Sequence, residues 1–439
     1  MKIKPTKLKG FQDYSGQIQA KRLAVMDAVR ITSDNFGFNI IETPALEYAE
    51  TLLGEGGETD KQVYMFEDNG GREVALRFDL TVPFARFAAE NFGKYPLPFK
   101  RCQVGNVWRA EKPQKGRYRE FCQCDFDIIG VDSKFADLET VTALANTLSY
   151  LKFGEFTVSF GHRNILGGLL RQLLPDLVKD PEGEQQALIA IDKLDKIGDV
   201  KVVELLKKLN GVDETKAREL INLITVGAES STLEKIKTIL IDDAEAIKAL
   251  DDTQFVIEGL NKFLENKSGR ARLDLKIARG LAYYTGVVFE TTLDALPNFG
   301  SICSGGRYNN LCDRFSKQKL PGVGGSIGLD RLVAGLMELE SKIEKPVEQK
   351  RSGYYVTVAT EEARNYAIEV CNELRSRGKL CDIDLKGQKL NKQFQTADKL
   401  NREFVIVIGD DELACASDRK VTLKDLGTGV QTMCTLDDL

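Results

Sequence analysis

The sequence predicts an α+β chain in two parts: a sheet-based unit interrupted by helices, then a smaller α/β domain. Three observations carry this reading. Residues 99–109 and 120–130 are strand-like and flank a basic, glycine-containing loop, the pattern of a long hairpin. Residues from about 165 to 265 are charged and rich in Leu and Ile at helical spacing, and they separate two sets of strand signals. Beyond residue 353, strand and helix patterns alternate as βαβαβ over 354–359, 361–377, 379–385, 389–400 and 404–409, which predicts a mostly parallel sheet.

The other elements follow in order. Residues 17–36 set Leu23, Met26, Val29 and Ile31 at helical spacing and stop at Gly37. A strand over 38–44 is ended by Pro44, and another over 73–78 leads into a helix over 81–92. Helix 134–152 and strand 156–160 precede the helical region; strand signals resume at 272–278 and 287–292, before a helix over 329–340. Residues 341–352 are polar, contain a proline and lack periodicity, so they divide a first domain over 1–340 (with its insertion at about 165–265) from a second over 353–439.

Bulk properties narrow the function. At 439 residues the chain exceeds one ordinary domain. It has no run of about 18 apolar residues, so no membrane span is expected. Its first residues are basic but no apolar stretch follows, unlike a secretory signal. Nine scattered cysteines suit free thiols in a reducing cytoplasm. The single histidine, His162, cannot supply a multi-histidine metal site or an acid/base pair of histidines, and no metal ligand set is expected.

The loop between the hairpin strands carries Arg109, Lys112, Lys115, Arg117 and Arg119 beside Trp108, Tyr118 and Phe121. It is either a solvated hairpin tip or a phosphate or nucleotide site, since guanidinium forks bind phosphates and aromatic faces stack on purines or guanidinium groups. Period-2 geometry puts Asp79 and Thr81 on one strand face, and likewise Gln123, Asp125 and Asp127. Either face is a polar pocket or a solvated surface. Cys122 and Cys124 point the other way, as packing residues. Glycine-rich segments at 279–286, 304–308 and 324–331 each hold an arginine and allow close backbone approach, although each alone is a weak signal.

Taken in this order, these segments resemble the class II aminoacyl-tRNA synthetases, and among them the histidyl-tRNA synthetases. The likeness runs from Gly10 to the last strand. Residues 40–44, 105–130 and 322–332 resemble motifs 1, 2 and 3, with the PQKGRYR loop as Pro113 to Arg119. Segments 279–290 and 304–311 resemble the two histidine-specific motifs. The resemblance implies an antiparallel-sheet catalytic domain with a helical insertion and a C-terminal α/β anticodon-binding domain. It implies a cytoplasmic homodimer that uses L-histidine, ATP with Mg²⁺, and histidine tRNA.

It also implies roles. Asp79, Leu80 and Thr81 surround the histidine α-amino group, where many bacterial members carry Glu-Gly-Thr. Gln123, Asp127, Tyr283, Tyr284 and Tyr308 complete the amino-acid pocket, with Asp127 accepting from the imidazole. Arg109, Glu111, Arg117 and Arg331 bind ATP, and Arg109, Arg279 and Arg331 serve catalysis, with Arg109 and Arg279 also counted in the histidine site. Gln114, Lys115 and Arg119 are candidates for tRNA contact, as are Lys386, Lys389, Lys392 and Lys399 in a C-terminal domain that is itself net acidic. Ala282 and Asn309-Asn310 depart from the family's usual Asp and Asp-Gly. The alternative is the regulatory paralogue of ATP phosphoribosyltransferase, which senses histidine without ligating it and typically lacks the C-terminal domain.

Overall fold

A computed structural model describes residues 3–54, 60–114, 116–226, 230–277, 284–342 and 351–439. It divides into two compact units, Met1–Lys342 and Ile343–Leu439. Arg279, Tyr283 and Lys115 lie outside the described residues, as do Ala282 and most of the 341–352 segment.

In the first unit the described strands are β1 (Asn39–Ile40), β2 (Leu46–Tyr48), β3 (Met65–Glu67), β4 (Glu73–Leu76), β5 (Phe99–Trp108), β6 (Glu120–Ile129), β7 (Phe156–His162), β8 (Gly269–Leu273), β9 (Val287–Leu293), β10 (Cys303–Arg307) and β11 (Gly322–Gly328). Eight of them form one sheet in the order β1-β5-β6-β11-β10-β9-β7-β8, while β2, β4 and β3 form a small separate sheet. The six central strands are antiparallel, and β1 and β8 join the two edges in parallel.

Alternation along the strands makes the sheet two-faced. Cys122, Cys124, Phe126 and Ile128 of β6 enter a core with Val323 and Ile327 of β11 and Phe156, Val158 and Phe160 of β7. Helices Gly16–Phe36, Lys134–Tyr150, Ala244–Leu264 and Leu329–Ser341 supply the rest of that core and cover this face. The functional side chains lie on the opposite face.

The helical region starts directly at His162, whose Nδ1 accepts the Asn164 amide at 3.1 Å and caps helix Arg163–Leu173. It has its own core, built from residues such as Leu169, Leu206, Leu220 and Leu250. Because β7 and β8 are parallel, their connection must cross over, and these helices are that crossover.

Several boundaries differ from the sequence reading. The first strand is reduced to Asn39–Ile40, the two residues in register with Arg101 and Cys102 of β5. Strand β8 begins at Gly269 because its register is fixed by β7, and Leu275 packs into the helical core instead. Asp79 and Thr81 do not share a strand face: β4 ends at Leu76 and Thr81 already opens helix Thr81–Glu90, so the period-2 argument fails there. Helix Gly16–Phe36 buries Arg22, Val25, Ala28, Val29, Thr32 and Ser33, leaving Leu23 half-exposed. Arg22 turns this face inward by pairing with buried Asp330 of helix Leu329–Ser341, and its guanidinium lies 3.9 Å over the Tyr14 ring.

The second unit contains strands β12 (Tyr354–Val356), β13 (Cys381–Ile383), β14 (Phe404–Val407), β15 (Lys420–Asp425) and β16 (Gln431–Thr435), in the order β13-β12-β14-β15-β16. The expected parallel βαβαβ is present in β12, β13 and β14. The sheet as a whole is mixed, because β15 and β16 extend it as an antiparallel hairpin that the alternation pattern did not include.

Asp330 also accepts the Cys122 amide at 2.7 Å, so it ties two helices to β6. Asp330→Ala strands the Arg22 charge in the core and is expected to cost about 3–5 kcal/mol. A urea unfolding midpoint equal to that of the native chain would refute this assignment.

Candidate functional site

The open face of the sheet is organised by register. Residues directly opposite on antiparallel strands share a face, so the pairings Arg101↔Asp127↔Gly324↔Gly306↔Val288 form one row across β5, β6, β11, β10 and β9. The next row is Gln103↔Asp125↔Ser326↔Ser304↔Glu290, and a third begins Gly105↔Gln123↔Gly328. Charge and hydrogen-bonding groups on β6 thus meet glycines and serines on β11 and β10. The small residues leave a hollow: a cavity of about 310 Å³ is lined by Gln123, Tyr284, Glu290, Ser304, Ser326 and Arg331, among others. A Cβ on Gly324 would sit 1.8 Å from Asp127 Oδ1, so glycine here makes room for a carboxylate.

The most buried part of the site is ionic. Arg101 is wholly buried and lies 3.3 Å from Asp127 and 3.6 Å from Asp125, while its other nitrogen donates to the Leu80 carbonyl at 2.7 Å. The Tyr308 hydroxyl donates to Asp127 Oδ1 at 2.5 Å. Burial pushes both carboxyls upward against the Arg101 charge, Asp125 to about 7 with Asp127 adding to the rise. Burial lowers the Arg101 guanidinium, but Asp127 and Asp125 outweigh it and the net shift is upward. Tyr284 is raised by burial and by the nearby carboxylates, so it remains a hydroxyl donor. Among the described residues, Gln123 Oε1, Asp125 Oδ1 and Asp127 Oδ2 are buried acceptors without a hydrogen-bond donor. Such groups are costly unless a ligand supplies donors.

Opposite these acceptors stands the cationic loop. Arg109 donates to the Phe78 carbonyl at 3.1 Å and lies 4.2 Å over the Phe78 ring and 5.1 Å from that of Phe121. The aromatics therefore stack on a guanidinium. Burial lowers Arg109, with Asp79 and Glu111 opposing the shift. The loop is closed by paired backbone bonds between Gln114 and Arg117, at 3.0 and 2.9 Å, with Gly116 at φ 71°. Arg119 is anchored by the Gly10 carbonyl at its amide and by Glu111, which brings the N-terminal segment against the loop. Arg331 sits in the first turn of helix Leu329–Ser341 and donates to the Phe299 carbonyl at 2.6 Å.

The sequence-predicted residues thus fall into groups. Arg109, Glu111, Arg117, Gln123, Tyr284 and Arg331 line the cavity. Asp127 and Tyr308 lie beneath it, each almost fully buried. Asp79 accepts the Val82 amide at 3.0 Å; burial raises it, opposed by that bond and by Arg109 and Arg101. Leu80 is fully buried, so it can serve a ligand only through its backbone. Gln114 opens on a neighbouring cleft of about 950 Å³ that shares Arg117 and Arg331. Lys386, Lys389, Lys392 and Lys399 are exposed and belong to the second unit, around helix Leu390–Lys399.

Sequence reasoning placed Asp125 on the face of Gln123 and Asp127 without giving it a role, and it did not select Arg101, Ser326 or Glu290 as site residues. The signal was the hairpin register, which sets Arg101 opposite Asp127. His162 lies apart from the first cavity; burial lowers it to about 4, so it is neutral near pH 7 and serves as a helix cap. No cluster of three or more potential metal-binding side chains occurs among the described residues.

Comparison with known proteins gives concordant findings. The family model described as histidyl-tRNA synthetase matches residues 10–332, and the anticodon binding domain model matches residues 346–439. The chain is 40% identical to the histidine–tRNA ligase of Helicobacter hepaticus, covering 98% of this chain and 96% of that one. It is 38% identical to that of Helicobacter pylori (strain ATCC 700392 / 26695) over the same shares. The crystal structure of histidyl-tRNA synthetase from Nostoc sp. PCC 7120 superposes with a TM-score of 0.85 at 31% identity, covering 99% of this chain and 98% of that one.

Asp125 provides a pH signature of the buried site. Its pKa is raised from 3.8 to about 7 on folding, so the folded chain holds the extra proton between those values. The stabilisation is complete below about pH 4 and is lost as pH rises through about 7. Asp125→Asn lacks this term, so its thermal stability relative to the native chain should rise between about pH 4 and pH 7. A difference that stays constant over that interval contradicts the assignment.

Proposed function

The chain belongs to the histidyl-tRNA synthetase family, and we propose that it charges tRNA with histidine through the cavity on the open face of its sheet. It is a histidine–tRNA ligase that activates L-histidine with ATP and then transfers it to the 3′ end of its tRNA. The observation that carries this reading is a cavity lined by Gln123 of β6 together with arginines of the 109–119 loop and of helix Leu329–Ser341, with the buried carboxylates Asp125 and Asp127 on the same face of β6. The acceptors suit a donor-rich amino acid, and the guanidinium groups suit a triphosphate.

In this reading Asp127 accepts from the imidazole, Gln123 and Tyr284 complete the pocket, and the Asp79–Thr81 turn receives the α-amino group. Tyr308 fixes the orientation of Asp127, and Tyr283 belongs to the same pocket by its motif. A ligand lacking the imidazole donor would leave Asp127 Oδ2 with its ion pair to Arg101 but no hydrogen bond, a discrimination that shape alone does not provide. Arg109 and Arg279 hold the α-phosphate, Glu111 the adenine side, and Arg117 and Arg331 the outer phosphates. The histidine carboxylate oxygen attacks the α-phosphorus in line. A P–O bond forms, the bond to the β-phosphate oxygen breaks, and pyrophosphate leaves. The terminal ribose hydroxyl of the tRNA then attacks the carbonyl carbon and displaces AMP. No side-chain nucleophile is required, so catalysis is positioning and charge stabilisation. Mg²⁺ would come with ATP, and Glu290, which lines the cavity, is a carboxylate of the kind that would hold it.

Gln114, Lys115 and Arg119 then face the tRNA acceptor end, and Lys386, Lys389, Lys392 and Lys399 face the anticodon side. A homodimer is supported by exposed apolar residues on and around the first strands: Ile40, Tyr48, Met65 and Phe66, each about half-exposed. No described helix is long and apolar enough to cross a membrane, and the reaction belongs in the cytoplasm with its tRNA. The C-terminal domain and the ligase relatives favour this reading over the histidine-sensing subunit.

Two experiments test the assignment. Histidine alone among the amino acids should support ATP–pyrophosphate exchange, and Arg279→Ala should reduce it by about 100-fold or more. Histidine binding without exchange would favour the sensor. Replacing Lys386, Lys389, Lys392 and Lys399 with alanine should raise the KM for tRNA by about 10-fold and leave exchange unchanged. An unaltered KM for tRNA would remove these lysines from the tRNA face.

A further inference from the structure

The guanidinium of Arg101 touches both ends of the histidine site without lining its cavity. One nitrogen is 3.3 Å from Asp127 and 3.6 Å from Asp125, and another donates to the Leu80 carbonyl at 2.7 Å. Leu80 stands between Asp79 and Thr81, the turn read as the α-amino site. Its planar fork therefore spans the distance between that turn and the carboxylate read as the imidazole partner. The group is fixed from the side as well, with the Phe84 ring 4.6 Å away.

The charge count adds a second argument. One cation faces two carboxylates, so with both ionised the cluster keeps an excess negative charge in a fully buried place. Neither carboxylate is saturated: Asp125 Oδ1 and Asp127 Oδ2 lack hydrogen-bond donors among the described residues, as does Gln123 Oε1 beside them. A ligand bringing an ammonium group and an imidazole N–H supplies both donors and charge. An uncharged, donor-poor amino acid supplies neither.

We propose that Arg101 is a positioning residue for histidine affinity and selectivity, fixing Asp127 and the Asp79–Thr81 turn at the spacing of the amino acid, with Asp125 as the second anion held by the same guanidinium. This rests on the cavity being the histidine site. Lysine cannot substitute fully, because a point charge cannot bridge two carboxylates and a carbonyl as a planar fork does.

The test is histidine-dependent ATP–pyrophosphate exchange on the full-length chain. Arg101→Met should raise the KM for histidine by about 30-fold or more with the KM for ATP within about twofold, and Arg101→Lys by about 10-fold. The double variant Arg101→Met/Asp125→Asn removes a buried cation and one of its anions together, which protects folding. It should still show a histidine KM raised by about 10-fold, and below that of Arg101→Met where both are soluble. A histidine KM within about threefold of the native value in Arg101→Met or in the double variant overturns the proposal, as does a parallel rise in the KM for ATP. Absence of histidine-dependent exchange in the native chain would instead refute the ligase reading.

Discussion

The ion cluster between β5 and β6 is the constraint on which the rest of the site depends. A charge as buried as Arg101 is tolerated only if paired and hydrogen-bonded. Its partners Asp127, Asp125 and the Leu80 carbonyl draw together a strand, its neighbour and the start of a helix. Two glycines of β11 follow from the same constraint. Asp127 needs the space above Gly324, and Tyr308 needs the space above Gly322, where a Cβ would meet its ring at 2.4 Å. Gly324, in one of the segments whose glycines suggested close backbone approach, admits the protein's own Asp127.

The opposite face of the sheet lets this polar arrangement persist. Cys122, Cys124, Phe126 and Ile128 bury their side chains under four helices, and the Arg22–Asp330 pair locks two of those helices to β6. Each β6 residue thus has one role set by its parity, core or site. A shift of one residue in register would exchange the two sets, so the packing of the apolar face specifies the chemistry of the other.

Much of this was legible in the sequence. The long hairpin, the helical crossover and the β6 parity rest on local patterns that the strand geometry preserves. Arg101 was not legible as a site residue, because its role depends on which β6 residue lies opposite, a tertiary fact that alternation does not state. Asp79 was misplaced on a strand because β4 ends earlier, where the chain turns into helix Thr81–Glu90. Leu23 looked like core until the Arg22 ion pair set the helix rotation. In the second unit, β15 follows only a five-residue helix, Asp410–Ala414, and β16 follows a turn, so the alternation that revealed β12 to β14 passed over them. Arg279 and Tyr283, named by their motif, lie outside the described residues.

The central claim is that this cavity builds an aminoacyl ester and does not merely sense an amino acid. Incubating the chain with radiolabelled histidine, ATP with Mg²⁺ and histidine tRNA, and recovering the tRNA, tests it directly. The account requires histidine bound to the tRNA through a base-labile ester at the 3′-terminal ribose, dependent on ATP. Histidine that stays free in the presence of ATP and intact tRNA, while still binding the protein, would contradict it.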